Sequence, residues 1–156
     1  MTELDEDDEL HLEMHRAVDE LGKFSLHMKV DFGKGSSADH AIAFVEELLI
    51  KATDACLHHG ADLVGHVKAF MMVGDGSTVG FSLIHQKMSV NITKQVNTKV
   101  IEEAEVIVHV IVHGIWDPEV REQTLETLEK VSRAHKVKFE IIKDFFEVEK
   151  SAAHHG

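Results

Sequence analysis

The chain has 156 residues, of which 44% are hydrophobic, and its formal net charge at pH 7 is −12. A length and composition of this kind fit one domain with a sizeable core. Because an acidic chain repels phosphate backbones and anionic lipids, we expect no nucleic-acid or membrane partner. No stretch is apolar enough to predict a membrane span, and the N-terminus is acidic where a signal peptide is basic, so we expect a cytoplasmic protein.

Acidic residues dominate positions 3–9, and such a run of like charges favours a solvated segment. Apolar residues then recur at helical spacing, at Leu10, Met14, Val18 and Leu21. Gly22 follows at the position where glycine commonly ends a helix. The pattern therefore predicts an N-terminal helix that stops at this glycine.

Six segments have the alternating or continuously apolar character of β-strands. They are residues 24–32, 63–73, 79–83, 88–92, 107–113 and 137–141. Gly74-Asp75-Gly76-Ser77 predicts a hairpin turn between the second and the third strand. The fifth segment is apolar on both faces, which predicts a central strand. We expect a bulge or bend near residues 85–87 and assign no element to residues 94–104.

Two further helices are predicted within the domain. An apolar stripe runs from Ala41 to Cys56 and stops near Gly60. Asp117-Pro118-Glu119 predicts the start of the second helix, because aspartate can cap free N–H groups and proline suits the first helical position. This helix is expected to end near His135.

The order of these elements predicts an α+β fold, a ferredoxin-like α/β sandwich (βαβ–ββ–αβ) with an added hairpin strand and an N-terminal helix. We expect three parts along the chain. Residues 1–22 form the acidic segment and its helix, residues 23–148 form a single α/β domain, and residues 149–156 form a flexible tail.

The stretch Gly33-Lys34-Gly35-Ser36 contains the letters of a phosphate-binding loop in the wrong order. A dinucleotide fingerprint also fails, since Ala38 stands where its third glycine belongs. We therefore interpret the stretch as a turn before a helix that is capped by Ser36 or Ser37. A weak anion site at the same two serines is the alternative, because an exposed helix N-terminus offers N–H donors.

Histidine is unusually frequent, with 13 copies, and several of them alternate with buried positions on the predicted strands. The strand pattern places six histidine and lysine residues on the sheet face that the helices do not cover. They are His27, Lys29, His66, Lys68, His109 and His113. Three interpretations stay open for this face: a solvated surface, a self-association or partner surface, and a site for a small ligand or a divalent transition metal such as Zn, Ni or Co.

A second metal hypothesis concerns the predicted N-terminal helix. His11, His15 and Asp19 are spaced four residues apart and share one helix face, where two histidines can chelate one ion. The single cysteine, Cys56, excludes an intramolecular disulfide and a zinc site built from several cysteines. Its place on an apolar stripe predicts a core residue, while an exposed thiol would instead offer a metal ligand beside His59.

Over about Leu63 to Val131 the chain resembles the region beyond the GTPase core in CobW-type metallochaperone GTPases, and four segments carry the resemblance. They are Leu63–Ala69, Gly74–Gly76, Ala104–Val108 and Ile111–Gly114. The resemblance implies an accessory domain occurring alone, which binds a metal-related ligand or docks on a GTPase or corrinoid-related partner. This chain lacks the Walker loop, guanine-recognition motif and cysteine motif of that family's core, so hydrolysis and chaperone activity do not carry over. His66, Lys68 and His113 lie within the similar segments.

These observations favour a small, non-enzymatic binding or assembly module that forms a homodimer and acts through the six residues of the open sheet face. Two alternatives remain. One is a metal carrier that uses histidine clusters. The other is a small enzyme that acts on an anionic substrate at the same face, with a histidine as general acid or base.

Overall fold

A computed structural model describes residues 21–146 of the chain. Within this range the strands are β1 (Leu21–Asp31), β2 (Leu63–Met72), β3 (Thr78–Ile84), β4 (Ser89–Gln95), β5 (Glu103–His113) and β6 (Lys138–Asp144). The helices are α1 (Ala38–His58) and α2 (Asp117–His135). A short 3₁₀ turn, His85–Lys87, joins β3 to β4 at the predicted bend. Neither described helix is long and apolar enough to cross a membrane.

The strands form one six-stranded sheet in the order β4-β3-β2-β5-β1-β6. Every neighbouring pair is antiparallel. Strands β2, β5, β1 and β6, with α1 after β1 and α2 after β5, have the ferredoxin-like order, and β3 and β4 extend the sheet beyond β2. The predicted α+β sandwich is thus confirmed for the described residues.

Both helices pack on one face of the sheet, so the alternation in each inner strand separates core from surface. In β1, Phe24, Leu26 and Met28 are buried, and the residues between them are not. Phe44 of α1 and Leu128 of α2 complete the same core. The opposite sheet face carries no described helix, which leaves it available as a functional surface.

Residues 96–102, within the segment to which the sequence assigned no element, hold the start of α1 against the sheet. Val100 forms an isolated bridge with Ser37, and the Ala38 N–H donates to the Lys99 carbonyl at 2.9 Å. Ile101 is fully buried beside them. Because Val96, Val100 and Ile101 are too few apolar residues to define a period in this polar segment, the burial of Ile101 could not be predicted from the sequence.

The predicted role of Gly22 as the end of a helix is wrong, because β1 already begins at Leu21. A Cβ at Gly22 would lie 2.1 Å from the Ile115 carbonyl oxygen, so this strand position requires glycine. The folded domain accordingly begins before residue 23. The rest of the predicted N-terminal helix and the predicted tail at residues 149–156 lie outside the described residues.

The predicted capping role of Asp117 is also wrong. Trp116 occupies the N-cap position of α2 without a side-chain cap, and Asp117 is already helical. The Asp117 carboxylate instead accepts a hydrogen bond from the Lys23 backbone N–H at 2.8 Å. The carboxylate therefore contacts β1, 94 residues away along the chain, and does not cap the helix as the neighbouring sequence predicts.

Candidate functional site

The uncovered side of the sheet, called here the open face, carries the side chains that alternate with the core on β1, β2 and β5. The structure places all six predicted residues on it. They are His27, Lys29, His66, Lys68, His109 and His113. The strand register, however, spreads them over several cross-strand rows.

One row of the open face brings polar side chains together on five neighbouring strands. His109 of β5 lies opposite Ser25 of β1 on one side and Lys68 of β2 on the other. Beyond Lys68 the row continues through Ser82 of β3 to Asn91 of β4. Ser25 Oγ and His109 Nδ1 share a hydrogen bond, which fixes the orientation of the imidazole.

The next row is apolar at its centre. Ile107 of β5 lies opposite Phe70 of β2, and Phe70 lies opposite Gly80 of β3. Phe70 is 42% exposed although it is a large aromatic residue. An ideal Cβ at Gly80 would have the Thr93 carbonyl oxygen, 3.8 Å away, as its nearest neighbour, so the missing side chain leaves open space.

The two rows together line a shallow concavity of about 390 Å³, called here the β2–β5 groove. Its lining includes Lys68, Phe70, Ser82, Asn91, Ile107 and His109. This volume lies in the range of small-molecule sites, which combine apolar walls with a few convergent polar groups. Lys68 and His109 are the two predicted residues that meet in the groove.

The electrostatic surroundings of His109 are positive. Burial lowers the pKa of His109, and the positive charges of His66, Lys23 and Lys68 lower it further. His66 and Lys23 flank Ile111 in the row beside His109. This part of an otherwise acidic chain is therefore a local concentration of positive charge.

The other end of the open face is electrically mixed. Lys29 lies 3.9 Å from a Glu103 carboxylate oxygen, and His27 Nε2 lies 3.7 Å from Glu105 Oε1. His27 Nε2 is buried and makes no hydrogen bond within residues 21–146. Because carboxylates of β5 accompany these two side chains, His27 and Lys29 form a region separate from the β2–β5 groove.

His113 lies at the far end of β5 in a third environment. His113 Nδ1 lies 2.6 Å from Asp62 Oδ1, and the Asp62 backbone N–H donates to the His113 carbonyl at 2.9 Å. The hydrogen bond from His113 lowers the pKa of Asp62. A carboxylate held against Nδ1 fixes the tautomer and orientation of an imidazole, which is an arrangement found in general bases.

The described residues give no metal centre on the open face. No three histidine, cysteine or carboxylate side chains between residues 21 and 146 are grouped so that they could hold a metal ion. His11, His15 and Asp19 lie outside the described residues. The binding of Zn, Ni or Co at that second set therefore stays a prediction.

The glycine-rich loop before α1 forms a turn and a helix cap. Gly33 and Gly35 have φ values of +98° and +73°, which L side chains rarely adopt. Ser37 is the N-cap residue, and its hydroxyl accepts from the His40 N–H at 3.1 Å. Ser36 Oγ hydrogen-bonds to His40 Nδ1 instead. The cap is confirmed at Ser37, and an anion at Ser36 and Ser37 stays a prediction.

Sequence reasoning missed a polar cluster between the two helices. His135, in the last turn of α2, hydrogen-bonds to Glu47 of α1, and its ring stacks on His40 with a centroid distance of 5.6 Å. The hydrogen bond from His135 lowers the pKa of Glu47, and a second hydrogen bond from Lys51 lowers it further. The partners are 88 residues apart, so no local spacing could reveal the pair.

Cys56 is fully buried on α1, as its position on the apolar stripe predicts. Burial raises the pKa of its thiol to about 11. Since the thiolate is the nucleophile and the metal ligand, burial and the raised pKa disfavour reaction at this thiol, and the exposed thiol that a metal site with His59 would need is not present in this structure.

Comparisons with known proteins show no family for this chain. No protein-family model matches the chain, and no curated protein matches it. Among solved structures the chain is similar to AtUAH in complex with glyoxylate, with a TM-score of 0.49 and 14% identity over 86% of this chain and 31% of that chain. AtUAH in complex with (S)-hydroxyglycine gives the same values. An amidase of the hydantoinase/carbamoylase family from Burkholderia multivorans gives a TM-score of 0.44 and 12% identity, over 85% of this chain and 31% of that chain.

The chain thus spans about a third of the length of the structures that it matches, as the 31% coverage states. The last of these proteins is an amidase by its name, but a likeness at 12–14% identity carries no activity or substrate over to this chain. The resemblance to CobW-type GTPases and the predicted absence of enzymatic activity both stay predictions.

Proposed function

We propose that the chain is a small binding module that acts without catalysis and takes its ligand on the open face, in the β2–β5 groove. The observation that carries this proposal is the meeting of a polar row, with Lys68 and His109 at its centre, and an apolar row that ends in the space above Gly80. Convergent polar groups over an apolar floor are the usual composition of a ligand site.

The exposure of Phe70 supports the same proposal. A large aromatic side chain that is 42% exposed contributes less to the free energy of folding than it would in the core. Aromatic residues in partly open sites instead provide large contact areas for a bound molecule. Phe70 is therefore better explained by binding than by folding.

A fragment screen tests this function. ¹⁵N-labelled protein is mixed with small cationic, neutral and anionic organic compounds, and amide chemical shifts are recorded. We expect the compounds that bind to shift amides of β2, β3 and β5 around the groove. Gly80→Phe fills the space above Gly80 and should abolish these shifts, whereas Glu140→Phe adds the same ring on exposed β6 and should preserve them.

Fold integrity is checked by the amide spectrum of each variant and by Gly80→Ala. A Cβ at this position meets only an ordinary contact, so Gly80→Ala should fold and still bind. Shifts that cluster elsewhere on the molecule, or that persist in a folded Gly80→Phe variant, would contradict the proposed binding surface.

The same proposal includes a partner protein for the module. The resemblance to CobW-type proteins implies a GTPase or a corrinoid-related protein as the partner, and a module of this size could present its bound ligand to it. No nucleic acid or membrane partner is proposed, because the net charge of −12 repels both.

An enzyme is the second candidate, and the pairing of His113 with Asp62 favours it. Their 2.6 Å contact orients an imidazole at the end of the open face. The two functions are distinguished by recording the spectra of the bound compounds over several days, which shows whether the protein converts them. A chemical conversion that disappears in His113→Gln would support the enzyme, and unchanged compounds would support the binding module.

A further inference from the structure

We propose that the ligand of the β2–β5 groove is a small carboxylate with an aromatic or aliphatic group, held by Lys68 and His109 at one end and by Phe70 and Ile107 at the other. This inference rests on the proposed function and names the chemical class of its ligand.

Charge supports an anion. Lys68 and His109 lie opposite each other on neighbouring strands, and Lys23 and His66 add positive charge from the adjacent row. The carboxylates of Glu103 and Glu105 lie further along β5, near Lys29 and His27. The positive end of the groove therefore attracts an anion, while the acidic remainder of the chain repels one.

The hydrogen-bonding groups in this row fit a carboxylate. Ser25 holds Nδ1 of His109, and within the described residues Nε2 makes no hydrogen bond. A bound anion favours the imidazolium form, in which Nε2–H donates. The Lys68 ammonium, the Ser82 hydroxyl and the Asn91 amide can all donate in the same row. Charge-assisted hydrogen bonds of this kind are the strongest that such a site can offer.

The apolar row determines which chemical group the ligand carries beside its carboxylate. Phe70 follows Lys68 by two residues on β2, which is about 6.6 Å along a strand. A carboxylate over Lys68 thus places a group two carbons away over Phe70 and Ile107, next to the space at Gly80. An aromatic ring suits this position, because it can stack on Phe70.

The probe that matches this geometry is 3-phenylpropionate. Its affinity is measured by NMR titration of the full chain beside those of 3-phenylpropanamide, which has the same shape without the charge, and acetate, which lacks the ring. We expect 3-phenylpropionate to bind about tenfold more tightly than the amide, since a hydrogen bond to a charged group contributes roughly that factor. It should also bind about tenfold more tightly than acetate, which keeps the charge and lacks the ring that contacts Phe70. Lys68→Met should weaken its binding by about tenfold and leave the amide unaffected.

Lys87→Met is the matched control, because Lys87 is exposed on the 3₁₀ turn and outside the groove. It should bind 3-phenylpropionate like the natural chain. Equal binding of the amide and the carboxylate, an unchanged affinity in Lys68→Met, or no binding of 3-phenylpropionate up to about 10 mM would overturn the inference. Tighter binding of an acidic pentapeptide without apolar side chains would also overturn it, in favour of a protein ligand.

The fragment screen distinguishes a failure of the carboxylate inference from a failure of the proposed function. Neutral or cationic compounds that bind in the groove in preference to anions would leave the binding module intact and exclude the carboxylate. An absence of groove binding by every class of compound would exclude both.

Discussion

His109 is partly buried, and positively charged side chains surround it. Burial is the main cause of its lowered pKa, and His66, Lys23 and Lys68 are the charged groups that act on it from β2 and β1. A histidine in this position is protonated less readily than in the unfolded chain. A bound carboxylate favours the protonated form of His109 again, because it supplies the negative charge that this region of the open face lacks.

This environment predicts how His109 responds to the loss of one neighbour. Lys68→Met removes a positive charge opposite His109, so the pKa of His109 should rise towards its ordinary value. The titration is measured from the imidazole ¹H and ¹³C shifts between pH 4 and 9. Lys87→Met should leave the pKa of His109 unchanged. An unchanged pKa in Lys68→Met would show that the charge of Lys68 does not lower the pKa of His109.

The strands illustrate what alternation can and cannot predict. The period of two along β1 places Phe24 and Leu26 in the core and His27 on the open face, because only one face of the strand is buried. The same period gave no indication of which strands are neighbours. The opposition of Lys68 and His109 depends on β5 inserting between β1 and β2, and this is a property of the crossover connections.

Single side chains that contact distant elements were the least predictable. Asp117 looked like a helix cap and instead binds the backbone of β1, and the pairing of Glu47 with His135 had no local signal. Each of these contacts forms only after two elements have packed. The Lys68 and His109 end of the groove was predicted as part of a face, but the open space at Gly80 beside Phe70 was not.

The Glu47–His135 contact connects α1 to α2 and predicts a pH-dependent stability. The pKa of Glu47 is lowered from its ordinary 4.5, so its contribution is present above pH 4.5 and is lost as the pH falls through the lower folded value. Glu47→Gln should lower the free energy of unfolding by about 1 kcal/mol at pH 7, since this pair is partly exposed. The difference should shrink at pH 3.

Urea unfolding of the natural chain and of Glu47→Gln at the two pH values measures this difference. Glu46→Gln is the control, because Glu46 has the same charge on the same turn of α1 and makes no ion pair within the described residues. A loss of stability in Glu46→Gln equal to that in Glu47→Gln would assign the effect to net charge rather than to the contact between the helices.

At the scale of the whole molecule, the two ends of the sheet differ. The β2–β5 groove lies towards the β4 side, whereas β6 is the edge strand on the other side within residues 21–146. On β6, Ile141 and Ile142 are 40% and 49% exposed. Ile141 and Phe139 also line a groove against Leu125 of α2. An exposed apolar edge strand is a surface that proteins commonly cover by association.

We therefore expect the homodimer predicted from the sequence to form through β6, which leaves the ligand groove open in both copies. Two β6 strands related by a twofold axis would pair and bury the exposed isoleucines. Light scattering at about 100 μM, where a micromolar dimer is mostly associated, should give twice the mass of one chain. Ile142→Lys places a charge in the interface and should give the mass of one chain, because a buried unpaired lysine is strongly disfavoured. Gln95→Lys adds the same charge on the opposite edge strand, β4, and should remain dimeric. A natural chain that stays monomeric at this concentration, or equal dissociation of both variants, would contradict an interface at β6.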